Sequence, residues 1–366
     1  MSCDFLTLAT PGVATLQPYQ PGKPVEELQR ELGLKDIVKL ASNENPLGPG
    51  ERAMEVLRRP KEIARYPDGN GFKLKARLAK YHGTSADRIT LGNGSNEILE
   101  LITRAIVQPH HEVVFSDHAF AVYPLVTQAV GAKSVVVRAK DWAHDSEAMA
   151  AAVTANTRLM FVANPNNPTG TWMKRNELTR LLETVPDHVI VVVDEAYFDY
   201  AVLPDYPDCS TWLDIFPNLL VTRTFSKAHG LAALRIGYSV SHPEIADLLN
   251  RVRQPFNVNA LALAAAEVSI DDRKHIEKSI QANQDGMNLL TSAFDEMGLP
   301  YLPSAGNFVC VDLQRPGREI FNQLLRKGVI VRPVDNYGMP NHIRVTIGIE
   351  HENKKFIAAL KKVLTS

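Results

Sequence analysis

The alternation of apolar and polar positions changes character near Glu51. Before it, Pro11, Pro18, Pro21, Pro24, Pro46 and Pro49 interrupt every apolar grouping, so no long helix can form there. Residues 1–50 are therefore expected to be an irregular arm lying over a larger body or a partner subunit. After Glu51, helical spacing and short β-rich runs alternate. Helices are expected over 51–58 and 72–82, and again after GNGSNE, where Ile98, Leu99, Leu101, Ile102 and Ile106 recur with helical period. Six apolar runs, at 113–115, 134–138, 159–163, 189–193, 219–221 and 236–240, are too short for helices. They carry the Val, Ile, Leu and Phe of strands buried on both faces. Helical stretches such as 174–183 separate several of them, which predicts a mostly parallel, helix-covered sheet. A long helical region spans about 259–297. Beyond it, runs at 308–312, 329–332 and 343–347 alternate with helices at 318–327 and 352–364, the pattern of a smaller α+β unit. The expected fold class is α/β, organised as an arm (1–50), a large domain (51–260) and a small C-terminal domain (261–366).

Composition narrows this reading. A chain of 366 residues with 45% hydrophobic and 22% charged residues has the balance of a globular protein with a sizeable core. The formal net charge of −1 gives no global attraction to nucleic acid or an anionic membrane. Cys3, Cys209 and Cys310 are widely spaced and lack companions for zinc or a disulfide framework. Together with an N-terminus that lacks a signal-peptide pattern, this makes a reducing cytoplasm the expected compartment. The histidines show no metal-ligand spacing, so no metal is expected.

Candidate chemistry sits where apolar runs end. RLMFVA ends at Asn164 and leads into NPNNPTG, which contains Asn167. HVIVVV ends at Asp194, with Tyr197 just beyond, and LLV leads through Thr222 and Thr224 to Ser226 and Lys227. Asn167 to Asp194 is 27 residues and Asp194 to Lys227 is 33, each about the length of one βαβ unit. Neighbouring parallel strands would thus deliver all three to one sheet edge, where open α/β sheets bind ligands. Lysine forms imines with carbonyl compounds once its surroundings free the amine. Gly94, Ser95 and Asn96 open a helix whose exposed N–H groups suit a phosphate. Arg235, near Thr224 and Ser226, can grip the same group with paired hydrogen bonds. Each motif also has a structural explanation: a rigid turn for NPNNPTG, and helix caps for Asp194 and Ser95. GNGSNE departs from GxGxxG at Glu97 and lacks the lysine of a P-loop, which argues against a nucleotide-binding module or dehydrogenase.

In order and spacing, NPNNPTG, VVVDEAYFDY and TRTFSKAHGLAALRIG resemble the three signature segments of the pyridoxal-phosphate enzymes of the aspartate aminotransferase fold (fold type I). LQPYQPGKP, KLASNENPLGP, ARYPDGNG, HAFAVYP, RQPFNVNALA, VIVRPV and HIRVTIG extend the similarity toward the family of histidinol-phosphate aminotransferases. Together these segments span Leu16 to Gly348.

The resemblance implies pyridoxal 5′-phosphate as cofactor, with Lys227 carrying it as an imine and moving the substrate's α-proton. It implies that Asp194 pairs with the pyridine nitrogen, and that Tyr197 and Asn167 bond the ring's phenolic oxygen. Phe120 would stack on the ring, although core packing explains that residue as well. Gly94, Ser95, Asn96, Thr224, Ser226 and Arg235 would clasp the cofactor phosphate, joined by Tyr66 from the partner of a homodimer. Tyr19, Asn43, Arg332 and Arg344 would face the substrate. An arginine fork there has to accept a phosphate in one half-reaction and a glutamate carboxylate in the other. His229 departs from the aromatic residue the family pattern implies two positions after the lysine, which bears on local packing. The implied reaction interconverts L-histidinol phosphate plus 2-oxoglutarate with imidazole-acetol phosphate plus L-glutamate, in histidine biosynthesis. An aromatic amino-acid aminotransferase and a decarboxylase of a phosphorylated amino acid use the same lysine and aspartate and stand as alternatives.

Overall fold

The computed structural model describes residues 5–18, 22–59 and 63–365. Its strands, in chain order, are β1 (Val38–Lys39), β2 (Ile89–Gly92), β3 (Glu112–Ser116), β4 (Lys133–Val137), β5 (Thr157–Ala163), β6 (Ile190–Asp194), β7 (Leu219–Thr224), β8 (Gly237–Ser241), β9 (Phe308–Asp312), β10 (Val329–Ile330), β11 (Arg332–Pro333) and β12 (His342–Thr346). All six apolar runs of the first part form strands. Seven strands build the central sheet in the order β2-β8-β7-β6-β5-β3-β4.

Neighbours from β4 through to β7 run parallel, while β8 runs antiparallel to both β7 and β2. β2 therefore points the same way as β5, β6 and β7, and its carboxyl end opens on the same edge of the sheet. Residues 191–194 of β6 and all of β7 are buried, as apolar strands between two helical layers should be. One face packs Val191, Val193, Leu219 and Val221 against the helices at Arg175–Thr184 and Ala260–Ser269. The other packs Val192 and Leu220 against the helices at Ser95–Ile106 and Pro243–Val252.

The helical region at 259–297 is two helices, Ala260–Ser269 and Arg273–Glu296. The second is capped by Asp272, whose side chain accepts from the N–H of His275. Past it, β11-β12-β9 form an antiparallel sheet. Its core joins Val309, Val311, Ile343 and Val345 to Phe294, Phe356 and Leu360. Val38 and Leu40 belong to that same core, because β1 pairs in parallel with β10. The first 50 residues are therefore not wholly irregular: residues 11–14 pack on the helix at Val122–Ala129, Val25–Leu32 forms a helix, and after β1 the chain crosses from the C-terminal layer to the central sheet along residues 41–48. Among the described residues no helix is long and apolar enough to cross a membrane.

Candidate active site

Register brings the strand ends together. Ala163 of β5 lies opposite Asp194 of β6, and Asp194 lies opposite Thr222 of β7. Beside them Thr224 pairs with Gly237, and Gly92 pairs with Gly237 from the other side. The GNG turn and the start of the Ser95–Ile106 helix therefore stand next to Thr224, Ser226 and Arg235. That approach depends on small residues. A Cβ on Gly237 would come within 2.4 Å of the Ser95 nitrogen, and one on Gly94, at φ +78°, within 2.4 Å of the Arg235 guanidinium.

A cavity of about 210 Å³ lies on this edge, between the central sheet and the C-terminal layer. Asn43, Ser95, Asn96, Phe120, Asn167, Asp194, Tyr197, Thr224, Ser226, Lys227, Arg235, Arg332 and Arg344 all line it. Gly94 contributes backbone beside Arg235. Tyr66 does not line this chain's cavity; it is 80% exposed and stacks on Phe256 with ring centroids 4.6 Å apart. Tyr19 lies outside the described residues. The lining also includes Gly22, Ala41, Ser42, Pro165 and Ala196, which carry no chemical signal in sequence.

The electrostatics differ from end to end. Burial, followed by the nearby Arg344 charge, lowers the pKa of the Lys227 amine to about 7. Its Nζ donates to the Ser42 carbonyl at 3.3 Å. Burial raises the Asp194 carboxyl, while hydrogen bonds donated by Thr222 Oγ1 at 2.9 Å and Tyr123 Oη at 3.1 Å favour its ionised form. Burial also pushes the Tyr197 phenol up to about 12, so it remains a hydrogen-bond donor at neutral pH. At the glycine end, Arg235 donates to Ser226 Oγ at 3.3 Å and the Ser226 N–H donates to Thr224 Oγ1 at 3.1 Å. At the opposite end, Arg344 donates to Asn167 Oδ1 and, at 2.7 Å, to the Ala41 carbonyl. Its buried Nε is left without a partner.

Support comes from behind the lining. Glu195, next to Asp194, is held by Arg223 Nε and Nη2 at 2.9 and 2.8 Å and by the Cys209 N–H at 3.1 Å. His229 is buried and packs on Phe225. Among the described residues no group of three or more His, Cys, Asp or Glu side chains is placed to hold a metal ion.

A carboxylate, a buried amine and a hydroxyl–guanidinium cradle within one cavity suit a flat, anionic carbonyl cofactor. The family model for aminotransferase class I and II matches residues 35–360. This chain belongs to that family. Its class I and II aminotransferase relatives include histidinol-phosphate aminotransferase 2 of Pseudomonas fluorescens, 59% identical over all of this chain and 99% of the relative. Histidinol-phosphate aminotransferase 1 of Nitrosococcus oceani is 54% identical, with 98% of each chain covered. Among solved structures, the histidinol-phosphate aminotransferase of Sinorhizobium meliloti in complex with pyridoxal-5′-phosphate superposes with a TM-score of 0.88 at 29% identity, covering 97% of each chain. Aspartate aminotransferase from Thermus thermophilus with maleate, at 21% identity and a TM-score of 0.83, shares the fold.

Proposed function

We propose that this protein is a pyridoxal 5′-phosphate-dependent transaminase that exchanges the amino group of L-histidinol phosphate with 2-oxoglutarate, giving imidazole-acetol phosphate and L-glutamate in histidine biosynthesis. The observation that carries the reading is the meeting of Lys227, Asp194 and the Arg235 cradle at a cavity that Arg344 of the C-terminal sheet also lines. The residues fit the cofactor. Arg235, Ser226, Thr224 and the N–H groups from Ser95 would hold its phosphate. Asp194 would face its ring nitrogen, Tyr197 and Asn167 its phenolic oxygen, and Phe120 a ring face. When bound, the cofactor supplies an electron-poor ring conjugated to an imine carbon, which accepts the electrons left by proton removal.

The chain's own groups do the rest. Lys227 Nζ, neutral in much of the population near pH 7, takes the proton from the substrate's Cα and can return it. Asp194, whose ionised form the Thr222 and Tyr123 hydrogen bonds favour against the burial that raises its pKa, would hold a proton on the ring nitrogen. Arg344 and Arg332 orient the oxyanion end of the substrate: phosphate for one substrate, carboxylate for the other.

The reading extends to a homodimer in the cytoplasm, with Tyr66 reaching the cofactor phosphate of the partner subunit. The exposed Tyr66–Phe256 stack supports it. It also divides the chain into an arm (1–50), a large domain (51–260) and a small domain (261–366).

Amino transfer to 2-oxoglutarate, measured side by side from histidinol phosphate and from phenylalanine, tests the substrate. Histidinol phosphate is expected to give the higher kcat/KM by at least about tenfold, roughly 1.4 kcal/mol of transition-state binding. A preference for phenylalanine would overturn the assignment. Lys227→Ala should fold yet show no turnover and no borohydride-reducible attachment of the cofactor.

A further inference from the structure

The side chain of Asn43, which the resemblance directs toward the substrate, is held within the protein through Oδ1 and one Nδ2 hydrogen. It is 1% exposed and sits in the left-handed region at φ +54°. Its backbone N–H donates to Thr346 Oγ1 at 2.9 Å, and Thr346 Oγ1 lies 3.0 Å from Asn43 Oδ1. Since the threonine oxygen already accepts from that N–H, its own hydrogen goes to Oδ1. This fixes the amide's orientation and turns Nδ2 toward Tyr197, where it donates to the phenolic oxygen at 2.9 Å. The Tyr197 hydroxyl is then an acceptor on the Asn43 side, and its hydrogen must point elsewhere. Tyr197 is buried and lines the cavity, so the remaining direction is into the cavity.

Thr346 stands two positions after Arg344 on β12, on the same face of the strand. Arg344 Nη2 donates to the Ala41 carbonyl at 2.7 Å, and Asn307 Nδ2 donates to the Asn43 carbonyl at 3.1 Å. Segment 41–43 is thus strapped along the strand that carries the substrate-binding arginine.

We infer that Asn43 is a positioning residue, placed by Thr346, that aims the Tyr197 hydroxyl hydrogen at the cofactor's phenolic oxygen. The inference rests on the cofactor reading above. Two effects follow. A phenol aimed at an oxyanion stabilises it, and the bond it accepts from Asn43 makes it a stronger donor. Both lower the pH at which the cofactor linked to Lys227 loses its imine proton. The other groups that act on Tyr197 are Arg344, Asp194 and Tyr337, with Lys227 Nζ 5.5 Å from its ring centroid. All of them are retained in the Asn43 and Thr346 variants.

The test is a pH titration of the visible band of the purified holoenzyme, comparing the wild type with Tyr197→Phe, Asn43→Gly and Thr346→Val. Glycine keeps the left-handed backbone and removes only the side chain. Tyr197→Phe should raise the titration midpoint most. Asn43→Gly and Thr346→Val should each raise it by about 0.3–1 pH unit, a two- to tenfold change in acid constant. Thr346→Ser, which keeps the hydroxyl, should titrate as the wild type does. Midpoints unchanged in both Asn43→Gly and Thr346→Val, beside a raised midpoint in Tyr197→Phe, would overturn the inference and leave the function intact. The same holds if their melting temperatures fall while the midpoints stay in place. A wild type that shows no visible band with pyridoxal 5′-phosphate would overturn the functional reading instead. If Asn43→Gly fails to fold, the contrast between Thr346→Val and Thr346→Ser decides.

Discussion

Two ionisable residues with opposite needs share one cavity. The proposed reaction needs a neutral Lys227, and burial first, then Arg344, lowers its pKa to about 7. Asp194 has to be charged, and two donated hydrogen bonds oppose the burial that would neutralise it. A pH dependence follows with a definite sign. A lowered amine pKa makes the reactive neutral form dominant above about pH 7. Attachment of pyridoxal 5′-phosphate to the apoprotein should therefore accelerate roughly tenfold per pH unit below that point and level off above it. Stopped-flow absorbance measures this; a rate still climbing toward pH 10 would show an amine with an ordinary lysine pKa. Lys227 and Asp194 were legible in sequence because each follows an apolar run that could only be a buried strand. Tyr123 was not. In AVYPLV it reads as one more core position, and its hydroxyl meets a carboxylate 71 residues away.

At the scale of elements, the proposed phosphate cradle depends on three chain segments converging. β8 runs antiparallel between β2 and β7, so the Gly92–Ser95 turn, the Thr224–Ser226 turn and Arg235 share one corner. Gly94 is one tight point of that corner, with a left-handed backbone and the Arg235 guanidinium where a side chain would be. Gly94→Ala should weaken cofactor affinity by about tenfold or more, equivalent to roughly 1.4 kcal/mol, with far-UV circular dichroism unchanged. Equilibrium dialysis of the cofactor checks it. The glycine-led helix start was visible in sequence as a weak phosphate signal. Its partnership with Arg235 was suggested by chemistry, but the β8 hairpin that delivers it follows from strand direction. Apolar periodicity does not encode that direction. The split of the 259–297 region came likewise from a local cap at Asp272, which sits among other charged residues and does not stand out.

For the whole molecule, the site is a seam between the central sheet and the C-terminal layer, crossed by residues 41–48. Arg344 and Thr346 from β12 reach Ala41, Asn43 and Asn167, and Asn45 ties the same segment to the Ala228 carbonyl and Ser279. Tyr66 stands apart from its own chain's cavity. If it serves the partner's site, Lys227→Ala and Tyr66→Ala chains, each impaired alone, should complement. Unfolding and refolding them together should restore active sites to roughly a quarter of the wild-type number, the intact half of the mixed dimers. Activity no greater than the mean of the two parent variants would place Tyr66 outside the partner's site.

The sequence by itself determined most of the strands and helices, the order of the strand-end residues and the kind of chemistry they carry. Those features depend on local periodicity and on residue type at the ends of buried runs. Tertiary structure alone decided which distant groups complete the site: Tyr123 and Thr222 on Asp194, Asn43 and Thr346 on Tyr197, and the union of Val38 and Leu40 with the C-terminal core. Hydrogen bonds between side chains far apart in the chain leave no period and little compositional trace. They exist only once packing has fixed strand direction, register and the crossing of the first segment between two layers.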